Sequence, residues 1–163
     1  MRLADSGWNA VEENQALSAW LNEVEIIAKE SEKKGIRVAV FAPIPVFKGN
    51  PKGWMNPGHI CTKEWFRPKI SPNCYGLFRE RRITLESRLD NINKGLNGLS
   101  AVYNNIKIYK PFDALCPKRL VFCETYIRSV RTFRDDDHLS RDGSLMVASD
   151  FLDFARREGL ITR

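Results

Sequence analysis

Histidine is scarce in this chain, with two in 163 residues. Cysteine is nearly as sparse, at four. Cys61, Cys74, Cys116 and Cys123 never adopt the C-x-x-C spacing of zinc or thioredoxin-type sites, and no residue pattern calls for a metal or a cofactor. No apolar run approaches the ~20 residues a transmembrane helix needs. Met1-Arg2-Leu3-Ala4-Asp5 turns polar at once, so no signal peptide is read there. The chain also lacks a clustered basic stripe. Its formal net charge is +6, but bases and acids alternate, as in Glu30-Ser31-Glu32-Lys33-Lys34 and Arg79-Glu80-Arg81-Arg82. That argues against a nucleic-acid partner and leaves a general affinity for anionic surfaces. With no repeat, low-complexity tract or linker, a single domain over 1–163 is expected.

What is present describes a globular protein, 43% hydrophobic and 28% charged. From about Asn9 to Lys34, Leu17, Trp20, Leu21, Val24, Ile27 and Ala28 recur at three- and four-residue steps, which predicts an amphipathic helix ended by Gly35. Ile36 to Phe41 reads as a strand covered on both faces. Helix, glycine turn and strand together suggest an α/β layer fold. The Ala42-Pro43-Ile44-Pro45-Val46 loop stands at the carboxyl end of that strand, where open α/β sheets place ligands. Residues 46–76 form a long Pro-, Gly- and Asn-rich segment holding Trp54, His59, Cys61, Trp65 and Cys74. His59 reads as a turn residue. A second helix is expected from about Leu77 to Leu99, with Leu85, Leu89, Ile92, Leu96 and Leu99 as its core stripe. Ile106–Tyr109 is a short strand, Leu120–Cys123 belongs to a small stapled loop, and Tyr126–Phe133 suggests an exposed strand or hairpin. A last helix is read over Ser140–Glu158 on Leu145, Met146, Phe151, Leu152, Phe154 and Ala155. The pairs Cys61/Cys74 and Cys116/Cys123 each close a loop of moderate length, as disulfides of an oxidising compartment do. The absent export signal fits that compartment only if the signal lies on a segment upstream.

Arg134-Asp135-Asp136-Asp137-His138-Leu139-Ser140 is the centre of the functional reading. An aspartate three residues before a histidine can accept a hydrogen bond from one ring nitrogen, fixing the tautomer and supporting the imidazolium. The plain alternative is a solvated acidic turn capping the final helix.

Three pieces in order, VAVFAPIPVF, DALCPKRLVFC and RDDDHLSRDGSLMVASDFL, resemble the C-terminal two-thirds of the SGNH domain. This domain is fused to, or works with, acyltransferase-3 type membrane proteins that O-acylate bacterial cell-surface polysaccharides such as lipopolysaccharide. The resemblance implies a flavodoxin-like, three-layer α/β/α fold with a mostly parallel sheet, on the periplasmic face of the inner membrane. It also implies a Ser-His-Asp triad with the serine near the domain's start. Carried over, His138 is the general base and Asp135 its orienting acid, while Leu139, Ser140 and Gly143 are structural. Ser140 and Ser144 fall to helix capping, and Asp136 and Asp137 to solvated surface.

The departure from the pattern is at the other end. Family members open with a strand and a Gly-Asp-Ser-His block carrying the nucleophile, and this chain contains none. Asp5-Ser6 echoes it only superficially, because too little chain precedes Ser6 to form the buried strand a nucleophile follows. The expectation is therefore an SGNH-like domain lacking its N-terminal strands, with a base but no serine. It would act in an O-acyltransferase or esterase whose partners are an acyltransferase-3 membrane domain and a polysaccharide acceptor. A second expectation is an inactive remnant or accessory module binding polysaccharide or the membrane acyltransferase, with Trp54, Trp65 and Tyr75 stacking on sugar rings.

Overall fold

The computed structural model describes residues 10–47, 79–127, 130–134 and 137–161. Their helices and small parallel and antiparallel sheets make an α/β protein. Contacts group the chain into two compact units, residues 1–40 with 91–108, and residues 41–90 with 109–163.

In the first unit, helix α1 spans Ala10–Lys33. It ends as a left-handed glycine cap: Gly35 has φ 66°, its N–H reaches Glu32 O, and Ile36 N–H reaches Ser31 O, both at 2.9 Å. Val24 and Ala28 are buried with Ile106, and Trp20, Val40, Leu99, Tyr103 and Ile108 pack around them. One member of the expected stripe fails: Ile27 is 52% exposed, because the buried face is centred on Val24 and Ala28. A Cβ on Gly95 would meet the end of the Leu21 side chain, Cδ1 at 2.4 Å, so the two residues pack directly against each other.

Strand β1 is Val38–Phe41, shorter than expected. It is only half-buried, and Phe41 is 49% exposed, which corrects the reading of a strand covered on both faces. After β2, Arg79–Arg81, helix α2 runs Arg82–Val102 and leads to β3, Ile106–Tyr109. β1 pairs with β3, and the bonds Val38 N–H to Asn105 O and Ala42 N–H to Tyr109 O advance together, so the pair is parallel. Leu85, Leu89 and Leu96 of the expected stripe are buried.

The second unit holds β2, α2 as far as Asp90, and α3 (Pro111–Leu115), β4 (Phe122–Glu124), β5 (Tyr126–Ile127), β6 (Val130–Arg131) and α4 (Arg141–Arg157). β2 and β4 form an antiparallel ribbon in the register Arg79↔Glu124, Glu80↔Cys123, Arg81↔Phe122. β2 lies where a helix start is expected, and β4 where a stapled loop is expected. Three charged residues carry no strand pattern of their own; the pairing decides. A disulfide joins Cys116 to Cys123 and is buried at both ends. Beneath it, buried Arg82 donates to Cys116 O, to Glu86 Oε1 at 2.7 Å and to Asp113 Oδ1 at 2.6 Å. On the adjacent face, Tyr109 sits in an aromatic group with Phe41, Phe151 and Phe154. Its hydroxyl lies 2.9 Å from Asp150 Oδ2 and 3.0 Å from Val147 O. Burial, reinforced by the Asp150 carboxylate, pushes the Tyr109 phenol well above its usual range. Leu145 and Leu152, expected in the core, are 57% and 45% exposed, whereas Val147 and Ala155 are buried.

Candidate active site

The loop holding His138 is built by main-chain bonds. β5 and β6 pair as a short hairpin, Tyr126↔Arg131 and Ile127↔Val130. Beyond it, Thr125 O accepts from the N–H of Thr132 at 2.8 Å and from its hydroxyl at 2.9 Å. Thr132 is fully buried, so this doubled bond satisfies polar groups that water cannot reach. The chain then reverses. Phe133 and Leu139 form an antiparallel bridge, and Arg134 N–H donates to His138 O at 2.8 Å. Arg131 braces the turn from below, its guanidinium donating to Phe133 O at 2.7 Å and to Arg134 O. Nothing in the sequence pattern marks Arg131 for this task.

The return limb is locked to α4. Ser140 N–H donates to Thr132 O at 2.9 Å. The Ser140 hydroxyl donates to Arg131 O at 2.5 Å and accepts from Gly143 N–H at 3.0 Å, which is an N-cap. Both directions of the hydroxyl are thus committed to main chain. Ser144 lies in the first turn, its N–H on Ser140 O. A Cβ on Gly143 would fall 1.9 Å from Thr132 O, so the helix reaches the loop only because this residue has no side chain.

His138 therefore sits on a rigid return at the amino end of a helix, with its side chain 66% exposed. Its Nδ1 lies 2.8 Å from Asp137 Oδ1. Asp137, expected on solvated surface, is half-buried and stands at the imidazole. Only adjacency in sequence could have suggested this, and adjacent side chains seldom meet. An imidazole that gives its Nδ1 proton to a carboxylate uses Nε2 as its basic atom. The Pro-x-Pro segment reaches the same neighbourhood as packed structure: Pro45 and Phe47 are buried, and the Phe47 ring lies edge-on to Phe133 at 5.1 Å between centroids. Arg88 holds that segment through Val46 O at 2.8 Å.

Of the residues singled out from sequence, Cys116 and Cys123 are bonded to each other. Asp135, Asp136, Ser6, Cys61, Cys74, His59, Trp54, Trp65 and Tyr75 lie outside the described residues.

A family model described as "SGNH domain (fused to AT3 domains)" matches residues 8–153. No curated protein and no solved structure gives a match.

Proposed function

The chain belongs to the family of SGNH domains fused to AT3 domains, and from that premise we propose that it supplies the acid–base half of an O-acyltransferase or esterase acting on acyl esters of cell-surface polysaccharide. The family membership makes it an SGNH hydrolase- or acyltransferase-like module associated with acyltransferase-3. The finer reading is ours. His138 is the general base, Asp135 orients it, and the serine nucleophile comes from outside these residues. The polysaccharide is the acyl acceptor, at the periplasmic face of a bacterial inner membrane. The flavodoxin-like three-layer arrangement belongs to the same proposal.

The observation that carries it is His138 on its main-chain-locked return, inside the family match, with the Asp137 carboxylate at Nδ1; the orienting role of Asp135 rests on the family pattern alone. In the proposed reaction, Nε2 takes the proton of the serine hydroxyl as its oxygen attacks the acyl carbonyl, and the donor's oxygen leaves with that proton. The acyl-serine is then attacked by a sugar hydroxyl, whose proton passes to Nε2 and returns to the serine.

The test is acyl transfer in membranes carrying an AT3 domain and a Gly-Asp-Ser-bearing SGNH segment co-expressed with this chain. The readout is the acyl methyl signal in the proton NMR spectrum of the purified polysaccharide. Acylation is expected with the native chain and lost with His138→Ala. Unchanged acylation with that variant rules the reading out. The isolated chain is expected to hydrolyse p-nitrophenyl acetate no faster than its His138→Ala form; turnover lost in both Ser6→Ala and His138→Ala would instead make Ser6 the nucleophile.

A further inference from the structure

The turn that enters the β2–β4 ribbon carries a surface for which acyl transfer has no use. Ile83 and Val121 are each 69% exposed, and Leu120 is 38% exposed. The backbone brings them to one end of the ribbon. Arg82 N–H donates to Val121 O at 2.9 Å, continuing the register one step past Arg81↔Phe122, and Leu120 N–H closes a turn onto Pro117 O at 2.9 Å. Three basic side chains, Arg81, Lys118 and Arg119, are exposed beside these apolar ones. The acids of this part of the unit are engaged elsewhere: Asp113 and Glu86 at Arg82, Glu80 at Arg88, and Glu124 at Arg79. Lys118 reaches Asp113 only at 3.8 Å and stays 82% exposed.

A solvated turn has no need of three large apolar side chains in water, and a polyanion site would need only the cations. Among the described residues the tip is also far smaller than the ~20–30 residues per side of an ordinary protein interface. An apolar tip ringed by basic residues matches an anionic bilayer, whose acyl boundary takes the one and whose headgroups take the other. We propose that Ile83, Leu120 and Val121 form a membrane-contact tip that seats this module on an anionic phospholipid surface, with Arg81, Lys118 and Arg119 among the headgroups. The proposal stands on the ribbon and does not depend on the acyl-transfer reading.

Co-sedimentation of the full chain with vesicles tests it. Binding is expected to phosphatidylcholine vesicles containing phosphatidylglycerol and not to phosphatidylcholine alone. The combined Arg81→Gln, Lys118→Gln, Arg119→Gln variant should lower the partition coefficient about a hundredfold, and Val121→Asp about tenfold. A charge-matched variant, Lys34→Gln, Lys94→Gln, Arg157→Gln, should leave it nearly unchanged. The proposal is overturned by no binding to the anionic vesicles, or by equal loss in the charge-matched variant. Equally tight binding to dextran sulfate that ignores Val121→Asp would make the surface a polyanion site. A concentration-dependent dimer abolished by Val121→Asp would make it a self-association surface.

Discussion

A methyl group on Gly143 would stand 1.9 Å from the Thr132 carbonyl oxygen, a backbone atom with little room to retreat. Gly143→Ala should therefore cost about 1–3 kcal/mol, seen as a lower urea midpoint, and it should move α4 away from the loop that holds His138. Tyr109 offers a pH signature. Its folded pKa is raised above an unfolded value near 10, so the folded form holds the phenol proton more tightly. That contribution to stability is complete below about pH 10 and is lost as pH rises toward the folded value. Alkaline titration should show a phenolate absorbing only well above pH 10, and Tyr109→Phe should remove it. The same variant should cost about 1–2 kcal/mol near neutrality, from its lost bonds to Val147 and Asp150. Asp137 and Asp135 can be told apart in the proposed assembled enzyme. A contact as exposed as Asp137–His138 adds well under about 1 kcal/mol, so Asp137→Asn is expected to lower kcat by less than about tenfold. Asp135→Asn should lower it about a thousandfold or more. The reverse order would transfer the orienting role to Asp137.

Helix ends were legible wherever a side chain or a glycine settles them locally. Ser140 caps α4 with its own hydroxyl, and Gly35 closes α1 at φ 66°. Those choices are made within a few residues, so the sequence discloses them. The β2–β4 ribbon is different. Arg79-Glu80-Arg81 is a strand because β4 lies beside it, and β4 lies there because Cys116 and Cys123 are joined and Arg82 ties α2 to the Cys116 carbonyl. No local pattern encodes that. Stripes were legible in period but not in phase: Ile27, Leu145 and Leu152 have the right spacing and lie at the margin of the buried face. Replacing both cysteines by alanine should cost about 2–3 kcal/mol on chain-entropy grounds, with the midpoint of the wild type falling likewise under dithiothreitol. Without reductant, Cys116 and Cys123 should give no thiol titre even in denaturant.

At the scale of the molecule, the family was legible because its marks fall in three blocks spread along the chain, and the family match extends over residues 8–153. The layer order was less legible, since it depends on which strands stand beside β1 and β3, and the described residues contain that parallel pair alone. Of the groups described around the candidate site, the sequence offered His138 alone as a functional residue. His138 followed from a motif, whereas Asp137 at its ring, Arg131 beneath the turn and the Phe47–Phe133 contact needed coordinates. The way that turn is closed also bears on how the site can evolve. Arg134 and His138 are joined through main-chain atoms, and Ser140 anchors the return outside the tip. Folding thus constrains Ser140, Gly143 and Thr132 tightly, while the bond that closes the turn uses no side chain of Arg134 or His138. In a randomised library selected first for solubility and then for acylation, the first selection should spare the tip and purge the anchors. Only the second should restore a preference at the tip, so that stability and chemistry are selected on separate letters of one short motif.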